Sequence, residues 1–423
     1  MANGESPRSG ASGFIVIVAG TFGVQLMALG TGIITARLLG VEGRGQVALV
    51  VAASAMVARL TLGASLPVAI AQLLARDGLL ARDAARHLLP RWLGQSLLFG
   101  VFVAVYVAAT LDGVDPTARS VLAVGAGLLT VQTILGGIVA GALQGELASP
   151  PKLVVGGLAL QAPFFVLLVV LFALGWTTDA PGVVALQVGA AVPALALCWW
   201  LLRAPSGDSR RLDRRELSRV SRSNYVTAVG SINSIGLDRN LVGAILGAAQ
   251  LGLYATALAL ANLCSVIGTG VSTVLLPRLS AVRDDPVAAK ALRRQWLPAT
   301  AILMLLVVGF LQLVVDPVVR LAFGAEFAPA IDVARWLILA DGLLGFRRVQ
   351  SAVLQAQGRG GTASRIELVL TLVLVAAIVA AALASELVLV GVSLAVVGLL
   401  SVVSLQLAIW RGPARSSRAR HRA

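Results

Sequence analysis

Twelve stretches of about 20 or more predominantly apolar residues follow one another along the chain, and they restrict its fold more than any other feature. A helix of about 20 residues crosses the hydrocarbon core of a bilayer, so each stretch is long enough to span a membrane. The predicted spans are 14–36, 46–70, 92–111, 119–143, 153–175, 182–202, 225–247, 252–276, 297–319, 333–356, 364–384 and 387–410. They are apolar on every side, whereas the strands of an outer-membrane barrel alternate apolar and polar residues. The sequence therefore predicts an all-α polytopic membrane protein.

The composition agrees with this class and gives no sign of catalytic or metal chemistry. Hydrophobic residues make up 58% of the chain and charged residues 13%, against about 25% charged in soluble domains. Cys198 and Cys264 both lie in apolar spans, which argues against a disulfide framework or a thiolate metal site. His87 and His421 have no cluster of carboxylates or cysteines around them. We expect no catalytic residue, no metal and no cofactor.

Basic residues predict how the chain is oriented in the membrane. The loops on one side of the predicted spans contain 25 Lys and Arg residues, and those on the other side contain five. Because Lys and Arg are retained in the cytoplasm during insertion, both termini are expected to be cytoplasmic, with the protein in the cytoplasmic (inner) membrane. The Arg-rich stretch 205–224 has no interleaved aromatic residues, so we expect anionic lipid head groups rather than nucleic acid as its partner.

A short motif occurs twice, 207 positions apart, as RLLGVEGRGQVAL at 37–49 and AILGAAQLGLYAT at 244–256. The matching residues are Leu39, Gly40, Gly45 and Ala48 in the first copy and Leu246, Gly247, Gly252 and Ala255 in the second. Each copy lies at the outer end of the first span of its half, which predicts a parallel repeat about an axis along the membrane normal. Glycines bracket each copy, as expected for a tight turn in which positive φ is accessible. We expect Gly40, Gly45, Gly247 and Gly252 to form the rigid tips of an outer gate.

The repeat divides the chain into two lobes of six spans each. The predicted organisation is a cytoplasmic N-terminus at 1–13, an N-lobe at 14–204, a basic cytoplasmic linker at 205–224, a C-lobe at 225–410 and a basic tail at 411–423. Two six-helix lobes with a cleft between them are the architecture of an alternating-access carrier.

Five segments, in order along the chain, carry a resemblance to a known family. They are TARLLGVEGRGQVALV (35–50), GLDRNLVGAILGAAQLGLYATALALANL (236–263), VLLPRLS (274–280), FGAEFAPA (323–330) and VLQAQGR (353–359). The chain resembles the polysaccharide-exporter branch of the multidrug/oligosaccharidyl-lipid/polysaccharide flippase superfamily. The resemblance implies a V-shaped, two-lobe carrier that moves lipid-linked saccharides from the inner to the outer leaflet. Many members of this family have fourteen spans, whereas this chain has twelve.

Charged residues within the spans are the candidate functional residues, because each costs about 2.5–3.5 kcal/mol to place near the bilayer centre. Arg59 lies in span two, Asp238 and Arg239 in span seven, and Asp341 and Arg348 in span ten. A structural interpretation, in which these charges pair with one another and hold helices together, stays open beside the functional one.

In the functional interpretation these residues line the central cleft. Arginine presents a fork of donors that suits phosphate, so Arg59, Arg239 and Arg348 are predicted to bind the pyrophosphate of the substrate. Ser231, Ser234 and Asn240 are predicted to bind sugar hydroxyls. Asp238 and Asp341 are predicted to couple transport to a proton or Na⁺.

The favoured function is a flippase for a lipid-linked oligosaccharide or polysaccharide repeat unit carried on polyprenyl pyrophosphate. Glycosyltransferases and a glycan polymerase are possible partners. The alternatives are a drug/cation antiporter or a lipid II flippase of the same superfamily, and, from another class, a membrane-embedded glycan polymerase or transferase. An antiporter needs an acidic cleft, while such enzymes usually have a long outer loop with acids, Arg or His.

Overall fold

The structure, a computed structural model, describes residues 7–62, 65–77, 81–111, 113–145, 150–202, 214–229, 236–282 and 285–411. In these residues we number twelve α-helices. They are α1 (Pro7–Leu62), α2 (Ser65–Asp77), α3 (Ala81–Thr110), α4 (Pro116–Gly145), α5 (Pro150–Ala173), α6 (Ala180–Leu201), α7 (Arg214–Val229), α8 (Leu237–Ala281), α9 (Pro286–Val318), α10 (Ala330–Ala356), α11 (Gly360–Leu383) and α12 (Leu387–Trp410). A π-helical turn, Val319–Phe323, and a 3₁₀ turn, Ala325–Phe327, connect α9 to α10.

The two copies of the repeated motif form kinks inside the two longest helices. α1 bends at Gly40, where φ is 66°, and α8 bends at Gly247, where φ is 84°. Glycine adopts this left-handed backbone at no steric cost, which explains why glycine occupies both positions. The expectation of a turn over 40–45 and 247–252 is corrected in one respect: the helix resumes directly after each kink, so Gly45 and Gly252 are helical residues.

The predicted fold class is confirmed, although helices and predicted spans do not correspond one to one. Within the described residues, nine helices are long and apolar enough to cross a membrane. Two of them, 19–61 and 237–280, run through the kinks and each contain parts of two predicted spans. α10 is not among the nine because its charges lower its apolar character, yet most of its residues are buried within the bundle.

α10 is buried because four neighbouring helices enclose it. It packs against α8, α9, α11 and α12 in the second half of the chain. Small residues allow the closest of these approaches, since a Cβ atom on Gly268 of α8 would overlap the backbone of Gly345 in α10. In the first half, α4 has the corresponding position, in contact with α1, α2, α3 and α6. Asp341 and Arg347 of α10 are therefore shielded from lipid by protein.

The two halves meet backbone to backbone at the kinks. A Cβ atom on Gly45 would overlap the carbonyl oxygen of Ala248, and one on Gly252 would overlap the carbonyl oxygen of Val41. Each glycine thus makes room for the other half of the chain, and the two contacts are related by the repeat. We call the end of the molecule that contains Gly40 and Gly247 the kink end, and the opposite end, which contains the α8–α9 connection, the basic end.

The basic stretch predicted as a solvated linker at 205–224 is partly helical. Residues 205–213 lie outside the described residues, whereas 214–224 form the first part of α7. α7 packs against α2, where the Ser65 and Ser221 hydroxyl oxygens lie 3.0 Å apart. The Tyr225 hydroxyl donates to the Leu60 carbonyl at 2.7 Å. This segment therefore fastens the start of the second half to the first half at the basic end.

We expect Gly45→Ala to destabilise the protein, because the added methyl group would have to displace the Ala248 backbone. Overpacking of this kind typically costs about 1–3 kcal/mol. The matched control is Gly309→Ala in α9, where a Cβ atom would have no neighbour within 4 Å. Thermal unfolding of the purified protein should show a lower Tm for Gly45→Ala and an unchanged or higher Tm for Gly309→Ala. Equal Tm values for the two variants would contradict the close backbone contact.

Candidate functional site

Three arginines from both halves of the chain lie close enough for their charges to interact. Arg59 is on α1, and the positive charges of Arg239 on α8 and Arg348 on α10 both act on it. The Arg59 side chain is exposed, while Arg239 and Arg348 are half-buried. Arg348 is held in place by Thr269 of α8, to whose hydroxyl its Nη1 donates at 2.7 Å. The structure therefore brings together the three arginines that the sequence predicts to bind phosphate.

Two carboxylates lie beside these arginines but are buried. Asp238 is 6% exposed and Asp341 is 3% exposed. The Tyr254 hydroxyl, which is fully buried, donates to Oδ2 of Asp238 at 2.6 Å. Asp341 is in the electrostatic field of Arg348, Arg239 and Asp238. The cations of this cluster thus face open space, whereas its anions are enclosed by protein.

Two of the arginines also lie farther from the kink end than Asp341 does. On α10, Asp341 lies 11 residues after Ala330, or about 16 Å along the axis, and Arg348 lies 18 residues after it, or about 27 Å. On α1, Arg59 lies 19 residues after Gly40, or about 28 Å. Arg59 and Arg348 are therefore nearer to the basic end than Asp341, so a ligand that approaches from the basic end meets these two arginines before Asp341.

A buried ion pair lies next to Arg348. Nη1 of Arg347 lies 3.1 Å from Oε1 of Glu367, with side-chain exposures of 2% and 8%. The pair joins α10 to α11, and both residues line a polar cavity of about 310 Å³ together with Arg348 and Ser364. Removing one partner of a buried pair leaves an uncompensated charge, which commonly costs 3–5 kcal/mol. The sequence alone does not identify this pair, because its two residues lie on different helices.

The polar residues predicted to bind sugar are placed less completely. Asn240 is 3% exposed, and its amide Nδ2 donates to the Gly236 carbonyl of the same helix at 2.9 Å. Ser231 and Ser234 lie outside the described residues. Their predicted contacts with sugar hydroxyls stay predictions.

Arg44 at the kink end is a residue that sequence reasoning missed. It falls between the first two predicted spans, but it is 5% exposed and contacts both halves of the chain. Its guanidinium donates to the Gly32 carbonyl, to Thr35 Oγ1 at 3.0 Å and to the Ala255 carbonyl of α8 at 3.3 Å. It also lies 5.3 Å from the ring centre of Phe323. Arg44 therefore contacts the second half through one backbone oxygen, that of Ala255, and one aromatic ring, that of Phe323.

Arg37 makes a second cationic contact between the halves at the same end. Its Nε donates to the Ala322 carbonyl at 2.8 Å, and its Nη2 donates to the Leu321 carbonyl. A local signal for Arg44 exists in the sequence, because its flanking residues Gly43 and Gly45 allow a close helix approach. Arg37 has no comparable signal. Together the two arginines hold the kink end closed in this conformation.

Comparison with known proteins identifies the fold. The model of a family described as polysaccharide biosynthesis protein matches residues 160–332. No curated protein sequence is significantly similar to the chain.

Several solved structures of transporters align with most of the chain. The lipid II flippase MurJ in an inward closed conformation is 14% identical, with 94% of this chain and 87% of that chain covered and a TM-score of 0.69. A multidrug resistance MATE family transporter of the MOP superfamily is 17% identical in its inward-facing conformation, with 95% and 100% covered and a TM-score of 0.67. An outward-facing MATE family structure is 18% identical, with 96% of each chain covered and a TM-score of 0.59. These structures confirm the fold that the resemblance implies, and the family model supports the resemblance over residues 160–332.

Within the described residues, no group of three or more His, Cys, Asp or Glu side chains could hold a metal ion. The charges of Asp238 and Asp341 act on each other, and Asp341 also lies in the electrostatic field of Arg239 and Arg348. The arrangement can therefore bind an anion at its arginines and can take up or release a cation or proton at its carboxylates.

Proposed function

We propose that this chain, a multi-pass membrane protein with the fold of the multidrug/oligosaccharidyl-lipid/polysaccharide flippase superfamily, is a flippase for a saccharide linked to polyprenyl pyrophosphate. The observation that carries the proposal is the arrangement of charge in the cluster. Arg59 is exposed, and Arg239 and Arg348 are half-buried, whereas Asp238 and Asp341 are almost completely buried. The surface offered to a ligand is therefore cationic, although the cluster also contains acids.

A pyrophosphate suits this surface for a chemical reason. Each guanidinium presents a planar set of donors that can bind two phosphate oxygens at once. Three guanidinium groups from α1, α8 and α10 can bind a group that has several such oxygens and carries more than one negative charge. Arg59 belongs to one half, and Arg239 and Arg348 belong to the other. The ligand would therefore contact both halves, and its contacts would change when the halves move.

The conformation supports transport by alternating access. Gly45, Gly252 and Arg44 hold the two halves together at the kink end, so the cluster is reached from the basic end. With the predicted orientation, in which the basic end is cytoplasmic, this state is open to the cytoplasm.

The antiporter alternative is less well supported. A site for a cationic drug needs carboxylates that the drug can reach, but Asp238 already accepts the Tyr254 hydroxyl hydrogen bond and Asp341 is enclosed by α10 and its neighbours. These acids fit better as groups that bind a small coupling ion. The enzyme alternative is not favoured either, because the connection between α9 and α10 is short and contains one acid, Glu326.

We expect Arg59→Ala to weaken binding of undecaprenyl pyrophosphate to the purified protein by about 10- to 100-fold, since a charge-assisted hydrogen bond contributes about 1.5–3 kcal/mol. Arg59→Lys should restore binding in part, because a point charge cannot replace the two-point contact. The control is Arg335→Ala on the exposed start of α10, which removes the same charge away from the cluster. Tryptophan fluorescence during a titration measures the affinity, and the Tm of each variant reports its fold.

The phosphate assignment fails if Arg59→Ala binds undecaprenyl pyrophosphate as the wild type does, or if Arg335→Ala weakens binding as much. A normal Tm in Arg59→Ala together with lost binding would identify the residue as a ligand contact. A Tm that falls without loss of affinity would make Arg59 a structural residue.

We expect Asp238→Asn to abolish the dependence of transport on the proton or Na⁺ gradient, because the amide keeps the shape of the side chain and loses its charge. Asp332→Asn, at the exposed start of α10, is the matched control. Flipping of a fluorescent polyprenyl-pyrophosphate saccharide in proteoliposomes, with and without an imposed gradient, measures the effect. An unchanged gradient dependence in Asp238→Asn would remove this residue from coupling and leave Asp341 as the candidate.

A further inference from the structure

A groove between α9 and α12 at the basic end is separate from the arginine cluster. It has a volume of about 570 Å³ and shares no lining residue with that cluster. α9 and α12 both pack against α10, which leaves a channel between them on the outside of the bundle. The site proposed for transport does not use this groove.

The groove is strongly basic. Lys290, Arg293 and Arg294 lie on one turn of α9 and all line it, and its lining contains no acid. Lys290 and Arg294 are exposed, and Arg293 is half-buried. The nearby carboxylate of Asp285 is engaged as the N-cap of α9, where it accepts from the backbone N–H groups of Val287 and Ala288. The three cations therefore raise the local concentration of anions at this surface.

The groove also has the polarity profile of a membrane interface. Leu297, Ile409 and Trp410 also line it, and Leu297 follows the three cations along α9 towards the membrane core. Arg294 precedes the predicted apolar span of α9 at 297 by three residues, or about 4.5 Å along the helix axis. Trp410 is 73% exposed at the end of α12, a position typical of tryptophan at the head-group level. The three cations thus lie at the level of the lipid head groups, next to the apolar lining of the groove.

Exposed apolar side chains continue from the apolar lining of the groove along α9 and α12. Leu305 and Leu306 on α9 are 71% and 66% exposed, and Val403 and Leu407 on α12 are 47% and 43% exposed. In a soluble protein such residues would face water unfavourably, but on a membrane-spanning helix they contact acyl chains. A molecule that fits the whole surface has an anionic head and apolar chains.

We propose that this groove binds the head-group phosphate of an anionic bilayer phospholipid. The guanidinium groups of Arg293 and Arg294 and the ammonium group of Lys290 bind the phosphate, and Trp410 covers the glycerol region above the chains. A bilayer lipid, and not the transported pyrophosphate, is the ligand because the groove opens towards the lipid-facing leucines of α9 and α12.

Native mass spectrometry of the full-length protein tests this site with phosphatidylglycerol and phosphatidylcholine as probes. The wild type should retain phosphatidylglycerol with higher affinity than phosphatidylcholine. The combined variant Lys290→Gln, Arg293→Gln and Arg294→Gln should bind phosphatidylglycerol at least tenfold more weakly, since each cation contributes roughly fivefold near an anionic head group. A conservative variant, Lys290→Arg with Arg293→Lys and Arg294→Lys, should keep most of the affinity.

The charge-matched control removes three arginines at the kink end, as Arg119→Gln, Arg320→Gln and Arg335→Gln. It should bind phosphatidylglycerol as the wild type does. Leu297→Trp supplies an independent variant, because it fills the groove without changing any charge and should also weaken binding. The proposal is overturned if the groove variant keeps its affinity, if the control loses as much, or if Leu297→Trp has no effect.

Discussion

The contact between the two kinks is the constraint on which the rest of the structure depends. At Gly45 and Gly252 the two halves touch through their backbones, with no side chain between them. So close an approach requires glycine at both positions, and it joins two long helices, α1 and α8, that begin the two halves. Arg44 and Arg37 add hydrogen bonds to carbonyls across the same boundary. Every other element of each half is positioned relative to this crossing.

Closure at one end determines where charge can be tolerated inside the membrane. α10 is surrounded by other helices, so Asp341 and Arg347 are buried in protein and not exposed to lipid, and Arg347 pairs with Glu367. Arg59 and Arg348 lie farther from the kink end, where the space between the halves can admit water and an anionic ligand. The same charges would be prohibitive on a lipid-facing helix. Shielding of charge from lipid by the surrounding helices therefore explains both the charged chemistry of the proposed substrate site and its location inside the bundle.

The fold could be predicted from the sequence because its determinants are local. Apolar length identifies the spans, and the repeated Leu-Gly motif identifies the related halves without knowledge of any contact. Partnerships between distant residues could not be predicted in this way. The contact of Arg44 with Ala255 joins residues 211 positions apart, and that of Arg37 with Ala322 joins residues 285 apart. The hydrogen bond of Tyr254 to Asp238 likewise depends on the bend at Gly247, which brings two legs of one helix together.

Crosslinking across the kink end is the most direct test of alternating access. Cysteines replace Val41 and Ala248 in a protein that lacks Cys198 and Cys264, and a cleavable, membrane-impermeant bifunctional reagent is added outside intact cells. Disulfide geometry requires Cα atoms within about 7 Å, so a longer reagent is preferable. We expect the linked protein to lose transport and to regain it when the linker is cleaved. Full transport by the linked protein, or no reaction from the outside, would contradict movement of the halves about a gate at the outer surface.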